Sequence, residues 1–466
     1  MENNRLATEN LGKLLLSLAI PSIIAQLVNV LYNMVDRIYI GQMHNGTTAM
    51  AALSVALPIV TFVMAFTQLV GIGGAPLCAI RLGEKRQDKA EQIMTTSFVM
   101  LLAVGLVLTL IIEIFAQPLL YMFGANSETI LLASQYIRIY AIGNIFVMIT
   151  LGMNAYINTQ GFAKFGMATV LIGAVLNIIL DPIFIFVLNM GVSGAALATI
   201  LAQGVSALWV LSFLFGKKST IHMQKQYILV EPGICLAIMS LGISPFVMQS
   251  TESLLQISFN HQLLLFGGNL AVATMAILLS LQQFVTLPLQ GLCQGAQPIL
   301  SYNYGAKNLK RVRDTFKLTF FLCLGLSFVC TGGVLIFAKT FVGIFASDAT
   351  TIEFGTWALR IYLVGMTTFG MQIACQQSFM ALGQAKISLC MALLRKVVLL
   401  IPLIYILPFL IGESGLALSL SSSIASLVND SGRCFGVLFA EPVSDILAAC
   451  TTTFMFMRFY KRNLVD

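Results

Sequence analysis

Six carboxylates lie inside apolar stretches of this sequence, where charged groups are rare. The rest of the 19 acidic residues lie at the ends of those stretches or between them. An ionised carboxylate at the centre of a membrane-spanning helix costs about 3 kcal/mol on insertion scales, so such a residue is a candidate for function. The six are Asp36, Glu113, Asp181, Glu252, Glu441 and Asp445.

Two of these carboxylates, Asp36 and Asp181, are predicted to lie at one depth. Each is within about ten residues of the outer end of its apolar stretch, and a helix rises about 1.5 Å per residue, which places both ~8–15 Å below the outer surface. Thr199 reaches a similar depth, and Asn177 precedes Asp181 by four residues and shares its helix face. Two carboxylates, an amide and a hydroxyl predict an oxygen-rich site for a hard cation such as Na+, or acids that share protons.

A structural role is the alternative for these two acids. Because Asp36 precedes Arg37 and Asp181 precedes Pro182, either carboxylate could instead satisfy backbone groups at a helix break. Pro21, in the first apolar stretch, removes one helical hydrogen bond and is a candidate bend point or a static kink.

Three further carboxylates differ in their surroundings. Glu252 lies near the middle of a long apolar stretch, has no basic residue nearby in sequence, and is predicted to face a central cavity. Glu441 and Asp445 are one helical turn apart, and Arg395 and Lys396 are available to neutralise them. A structural ion-pair network is therefore favoured for Glu441 and Asp445.

The composition places these residues in a membrane protein. Of 466 residues, 58% are hydrophobic and 10% are charged, whereas soluble domains carry about 25% charged residues. Long apolar runs such as residues 98–115 do not alternate as barrel strands do, which indicates an all-α polytopic protein. The net charge of +7 comes from basic residues spread between apolar segments, so no nucleic-acid partner is expected.

Enzyme and cofactor chemistry are not indicated. The nine cysteines form no CxxC pair, and the three histidines are far apart and match no metal-ligand spacing. No nucleophile and base stand in a recognisable arrangement. We expect no cofactor and no catalytic residues.

Twelve transmembrane helices are predicted. Basic residues concentrate in alternate connections, 19 of 26 on one side, so the positive-inside rule places both termini in the cytoplasm. The predicted spans are 14–42, 50–76, 94–117, 130–158, 165–188, 192–216, 233–265, 270–297, 315–339, 353–381, 387–410 and 436–459.

The chain is an internal duplication. At an offset of 222 residues Gly83 matches Gly305, and the segment 138–140 matches 360–362 as Arg-Ile-Tyr. Six spans in each copy give parallel repeats, an arrangement found in secondary transporters. We expect an N-terminal six-helix lobe at 1–216, a cytoplasmic linker at 217–232 and a C-terminal lobe at 233–466 around a central cavity. The stretch 412–435, which the first copy lacks, is an external loop, an interfacial hairpin or a half-helix.

The sequence resembles the multidrug and toxic compound extrusion (MATE) family along nearly its whole length. The matching motifs include Val35-Asp-Arg-Ile-Tyr-Ile-Gly41, the stretch from Gly73 to Gly83, and Asn158-Thr-Gln-Gly161. The most specific one is Asn177-Ile-Ile-Leu-Asp-Pro182, followed by Gly191-Val-Ser-Gly-Ala-Ala196.

The resemblance implies export of organic cations, drugs or amphipathic metabolites in exchange for Na+ or H+ by alternating access. It implies that Asp36, Asn177, Asp181 and Thr199 form the site for the coupling ion. It also implies that Pro21 is the bend in the first span and that Asn154 and Glu252 belong to the substrate cavity. The usual spacing between the last two spans is not kept, so the resemblance assigns no role to Glu441 or Asp445.

An alternative from the same superfamily is a flippase for lipid-linked precursors. That function predicts fourteen spans and a large basic cavity, and few basic residues lie within the spans. We expect a monomer, with a small molecule and the lipid bilayer as its partners, in the inner (cytoplasmic) membrane.

Overall fold

The computed structural model describes residues 5–43, 46–346 and 348–464, and these residues form helices and connections with no strand. We number the membrane-spanning helices α1 to α12. They are α1 Leu11–Gly41, α2 Gly46–Gly83, α3 Gln87–Met122, α4 Ile130–Thr159, α5 Ala163–Pro182 with the π-helical turn Ile183–Val187, α6 Val192–Leu214, α7 and α8 as the two parts of Pro232–Gly305, α9 Leu309–Ile336, α10 Ala349–Tyr362 with Met366–Ala381, α11 Ala385–Leu393 with the π-helical turn Leu394–Leu400 and Ile401–Ile411, and α12 Ser431–Asn463.

The described residues confirm the prediction of twelve spans. Ten helices are long and apolar enough to cross a membrane, and the two segments of α10, bent by 46°, add an eleventh span. One of the ten, Pro232–Gly305, has 74 residues, whereas about 20 cross a bilayer. Its backbone leaves the helical conformation at Gly268, with φ 69° and ψ −165°, so it divides there into α7 and α8.

The stretch 412–435 contains a short helix. Gly415–Ser421 is helical and is followed by the 3-10 turn Ser422–Ile424. The Ser414 side chain accepts a hydrogen bond at the start of this helix, and Trp357 of α10 donates its indole N–H to the Leu420 carbonyl at 2.8 Å. The last span begins at Ser431, five residues before the predicted start, because the end of this stretch belongs to α12.

The duplication is visible in the backbone. Lys85 and Lys307, which occupy equivalent positions at the offset of 222, have positive φ angles of 61° and 57°. Gly161 and Gly383, also equivalent, have φ angles of 89° and 73°. Because a positive φ is rare for a residue such as lysine, its recurrence shows that the two copies turn the chain in the same way.

Two compact units divide the chain. The first contains residues 1–250, 294–312 and 380–386, and the second contains residues 251–293, 313–379 and 387–466. The first unit therefore includes helix ends from the C-terminal copy. The division into lobes at 1–216 and 233–466 describes the repeat and stays a prediction.

Close backbone contacts join α2 and α7 within the first unit. A Cβ atom on Gly242 would lie 1.7 Å from the Leu69 carbonyl oxygen, and one on Gly73 would lie 2.4 Å from the Ile238 carbonyl oxygen. Both distances are far below van der Waals contact. Glycine at these positions lets the helices approach closely, as small residues do at membrane helix interfaces.

This contact predicts the effect of Gly242→Ala. The added methyl group forces α2 and α7 apart, and we expect a loss of about 1–3 kcal/mol of stability, the usual range for overpacking. The measurement is the midpoint of thermal unfolding of the purified protein in detergent. Gly233→Ala on the same helix is the control, because its Cβ meets nothing within 4 Å. Equal midpoints for the two variants would contradict the prediction.

Candidate cation-coupling site

The centre of the site is Asp181, at the end of the α-helical part of α5. Its Oδ1 accepts a hydrogen bond from Asn177 Nδ2 at 3.1 Å, as the spacing of four residues predicts. The same Nδ2 reaches Thr199 Oγ1 of α6 at 3.3 Å. Asp181 is 0% exposed and Asn177 is 2% exposed. The structure thus brings together three of the four residues through Asn177.

The fourth residue, Asp36, comes from α1, which packs beside α5. Its carboxylate and that of Asp181 are near enough to share a hydrogen bond when one of them carries a proton. Neither carboxylate forms an ion pair within the described part of the chain. Buried Asp181 and half-buried Asp36 are therefore adjacent acids without a paired base among the described residues.

Acceptor oxygens outnumber donors at this site. Asp36 Oδ1, Asp181 Oδ2 and Asn177 Oδ1 are buried and have no hydrogen-bond partner among the described residues. A buried acceptor without a partner costs about 1–3 kcal/mol, more for a charged group. A bound cation or proton would satisfy these oxygens, since hard cations prefer carboxylate and amide oxygens and two close carboxylates cannot both stay ionised cheaply.

The arrangement does not resemble a helix cap. Asp181 accepts its hydrogen bond from the Asn177 side chain rather than from a backbone N–H at the break. The π-helical turn Ile183–Val187 follows directly, and turns of this kind are frequent at functional sites. These contacts favour the interpretation as an ion site.

Two tyrosines that the sequence analysis did not identify belong to this region. Tyr32 and Tyr136 lie within electrostatic reach of both Asp36 and Asp181. Tyr32 precedes Asp36 by four residues on α1, so the helical spacing could have identified it. Tyr136 is on α4, and no local pattern connects it to the site.

The two predicted cavity residues lie in different settings. Asn154 of α4 donates from Nδ2 to the Gly166 carbonyl at 3.2 Å and thereby connects α4 to α5. Glu252 of α7 forms an ion pair with Lys396 of α11. The Glu252 side chain is 48% exposed, and that of Lys396 is 6% exposed. The base that Glu252 lacks nearby in sequence comes from a distant helix.

Pro21 lies buried in α1, which runs from Leu11 to Gly41 as one helix. The structure contains no interruption of α1 at this proline. Its role as a bend stays a prediction.

The ion-pair network predicted around Glu441 and Asp445 is present, with one difference. Arg395 pairs with both acids, whereas Lys396 pairs with Glu252. The two bases are adjacent in sequence and lie in the π-helical turn of α11, so their side chains leave the helix in different directions.

Known proteins match this chain along most of its length. The family model described as MatE matches twice, at residues 21–183 and 245–406, once in each copy of the duplication. The multidrug export protein MepA of Staphylococcus aureus (strain NCTC 8325 / PS 47) is 27% identical over 409 residues, covering 88% of this chain and 90% of MepA.

Solved structures share the fold. A crystal structure of MATE in the straight conformation has a TM-score of 0.89 at 21% identity, covering 99% of this chain and 98% of that chain. An outward-facing multidrug resistance MATE family transporter of the MOP superfamily has a TM-score of 0.87 at 22% identity, covering 100% of this chain and 99% of that chain. At these identities the likeness shows the twelve-helix fold.

The hydrogen bonds of Asn177 predict a measurable loss in Asn177→Ala. The variant leaves Asp181 Oδ1 and Thr199 Oγ1 without their shared donor, and we expect a loss of about 1–3 kcal/mol of stability in ion-free buffer. The measurement is thermal unfolding in detergent. Asn463→Ala at the end of α12 is the control, because Asn463 is exposed and its Nδ2 donates to the Phe459 carbonyl, far along the chain from this site. A loss no larger than that of the control would be evidence against the bridging role of Asn177.

Proposed function

Because the chain belongs to the MatE family, we propose that it is a secondary antiporter that exports organic cations, drugs or amphipathic metabolites in exchange for Na+ or H+. It is a multi-pass membrane protein with MATE relatives, and members of that family are transporters of small molecules. The observation that carries the proposal is the pair of adjacent acids, half-buried Asp36 and buried Asp181, which have no paired base and have buried oxygens without a partner among the described residues. Such a pair can accept an inward-moving cation and release it again.

The proposed coupling follows from where the ligands lie. Asp36 is on α1, Asp181 and Asn177 are on α5, and Thr199 is on α6. An ion held by these oxygens stabilises the conformation in which the three helices are together. A ligand shifts a conformational equilibrium by its differential affinity for the two states, and the shift is reciprocal between two sites. Ion entry can therefore drive substrate release.

We propose that α1 changes shape during this cycle at Pro21. A proline in a helix leaves the carbonyl four residues earlier without its backbone donor, so bending there costs less than elsewhere in α1. A bend in α1 would move Asp36 relative to α5 and would change the affinity for the ion.

We propose that Glu252 and Asn154, each within its own unit, are substrate-binding residues. Glu252 supports a cationic substrate, because its carboxylate is about half exposed and lies on a spanning helix. Asn154 keeps a buried Oδ1 without a partner among the described residues, which can accept a hydrogen bond from a substrate. No cofactor is needed, because the energy comes from the ion gradient.

The flippase alternative is not favoured. The relative MepA is named as a multidrug export protein, and the described residues form twelve spans rather than fourteen. An enzymatic function has no support either, since the family consists of transporters. We further propose that the protein works as a monomer in the inner (cytoplasmic) membrane with both termini in the cytoplasm.

Substitution of the acids tests the proposal. Asp36→Asn and Asp181→Asn each remove one charge while keeping the shape of the side chain, so the remaining carboxylate has less affinity for a cation. We expect gradient-driven uptake of ethidium into everted vesicles to fall at least about tenfold, which corresponds to about 1.4 kcal/mol of lost coupling energy. Asp88→Asn, in the exposed first turn of α3, is the control. Full transport by both variants would exclude Asp36 and Asp181 as the coupling site.

Measurement of which ion moves during transport identifies the coupling ion. In proteoliposomes held at a fixed membrane potential, addition of ethidium should move either Na+ or H+ through the wild-type protein. We expect the ion movement to disappear together with transport in Asp181→Asn. Ethidium transport without movement of either ion would contradict antiport.

A further inference from the structure

A second group of charges is buried in the second unit. Arg395 of α11 donates from Nε to Asp445 Oδ1 at 2.9 Å and from Nη2 to Glu441 Oε1 at 3.4 Å, and its Nη2 forms an ion pair with Asp445 Oδ1 at 2.8 Å. The three residues are 1–7% exposed. The Arg395 guanidinium also lies 4.6 Å from the centre of the Phe369 ring. One base therefore serves two acids here, and it is closest to Asp445.

Glu441 receives its better hydrogen bond from a neutral group. Gln282 of α8 donates from Nε2 to Glu441 Oε1 at 3.0 Å. Tyr362 of α10 donates its hydroxyl to Gln282 Oε1 at 3.4 Å, which fixes the amide with its N–H side toward the acid. This series of hydrogen bonds orients the Glu441 carboxylate but brings no positive charge to it.

The charges of the whole network do not balance. Besides Arg395, Glu441 and Asp445, the charged groups that face the pair are Lys396 of α11 and Glu252 of α7, which form their own ion pair. Three acids thus face two bases. Arg395, Lys396, Glu441 and Asp445 are 1–7% exposed, whereas the Glu252 side chain is 48% exposed. Because Lys396 is engaged by Glu252, the buried pair of acids keeps one net negative charge, which the protein interior solvates poorly, and an uncompensated buried acid takes up a proton instead.

An unpartnered oxygen of Asp445 indicates where a proton would bind. Asp445 Oδ2 is buried and has no hydrogen-bond partner among the described residues, although Asp445 Oδ1 accepts a hydrogen bond from Arg395 Nε and lies 2.8 Å from Arg395 Nη2. Glu441 lies one helical turn before Asp445 on the same face of α12. The pair therefore contains both an excess negative charge and an unoccupied acceptor oxygen.

We propose that Glu441 and Asp445 share one proton and form a proton-binding site made of residues of the second unit alone. Arg395 compensates the other negative charge of the pair, and Lys396 compensates Glu252. The proton is exchanged with solvent as a carboxylic acid becomes a carboxylate, and no other reactant is needed. The two acids titrate together, so the proton belongs to the pair rather than to one residue.

Binding of the proton to Glu441 and Asp445 depends on the negative charge of Glu252. Lys396 lies within electrostatic reach of Glu441 and Asp445 as well as Glu252. When the charge of Glu252 is removed or taken up by another cation, Lys396 compensates the pair, and the proton is released. A neutral residue at position 252 should therefore cause the pair formed by Glu441 and Asp445 to lose its shared proton.

Infrared difference spectroscopy of the full chain in lipid tests this site. The starting protein carries Asp36→Asn and Asp181→Asn, which remove the carboxylic acids of the first site. We expect the carbonyl stretching band of one protonated carboxylic acid at neutral pH. Addition of Glu441→Gln should abolish this band, and so should addition of Glu252→Gln. Lys396→Met should increase it, because three acids then face one base. Glu413→Gln is the matched control and should retain the band, since Glu413 is 82% exposed.

Three results would overturn the proposal. One is the absence of the band at neutral pH, and another is a band that survives both Glu441→Gln and Glu252→Gln. The third is a band that is present in choline chloride and lost in sodium chloride, which would show that the pair binds Na+. If Glu441→Gln does not fold, Glu252→Gln decides alone, because it changes a half-exposed side chain.

Discussion

A carboxylate inside a membrane needs a base, a metal ion or a proton to compensate its charge, and both halves of this chain are arranged around that need. Asp36 and Asp181 lie close together without a paired base. Glu441 and Asp445 share Arg395. Burial strengthens the interaction of these acids with whatever compensates them, because charges attract more strongly in the protein interior than in water.

The duplication shows how one architecture acquired two charge patterns. Spans α5 and α11 occupy equivalent places in the two copies. Span α5 carries Asn177 and Asp181, whereas α11 carries Arg395 and Lys396 at positions that correspond to Gly173 and Ala174 of α5. In the N-terminal copy, Asp36 on α1 therefore lies beside a second acid, Asp181. In the C-terminal copy, Glu252 on α7 lies beside a base, Lys396. The turns with positive φ have been retained in both copies, so the backbone was kept while the charges diverged.

The sequence predicted what depends on spacing along one helix. The twelve spans follow from apolar length, and the contact between Asn177 and Asp181 follows from a separation of four residues. The contact of Lys396 with Glu252 could not be predicted, because it depends on the rotation of two helices distant in sequence, and apolar spans of low amphipathicity do not specify that rotation. The break at Gly268 was predicted only as a connection between spans. The short helix Gly415–Ser421 lies where the repeat fails, so the first copy gave no template for it.

The two patterns suit different ions for a physical reason. A metal ion needs several oxygens and is repelled by a nearby guanidinium, so Asp445, with Arg395 at 2.8 Å, is a poor ligand for Na+. A proton forms a bond to a single oxygen and tolerates a neighbouring base as long as one acid remains uncompensated. Asp36 and Asp181, with their unpartnered oxygens and no paired base, form a site that we propose for either ion. The position of the arginine, rather than the number of acids, is therefore what separates the site proposed for Na+ or H+ from the site proposed for a proton alone.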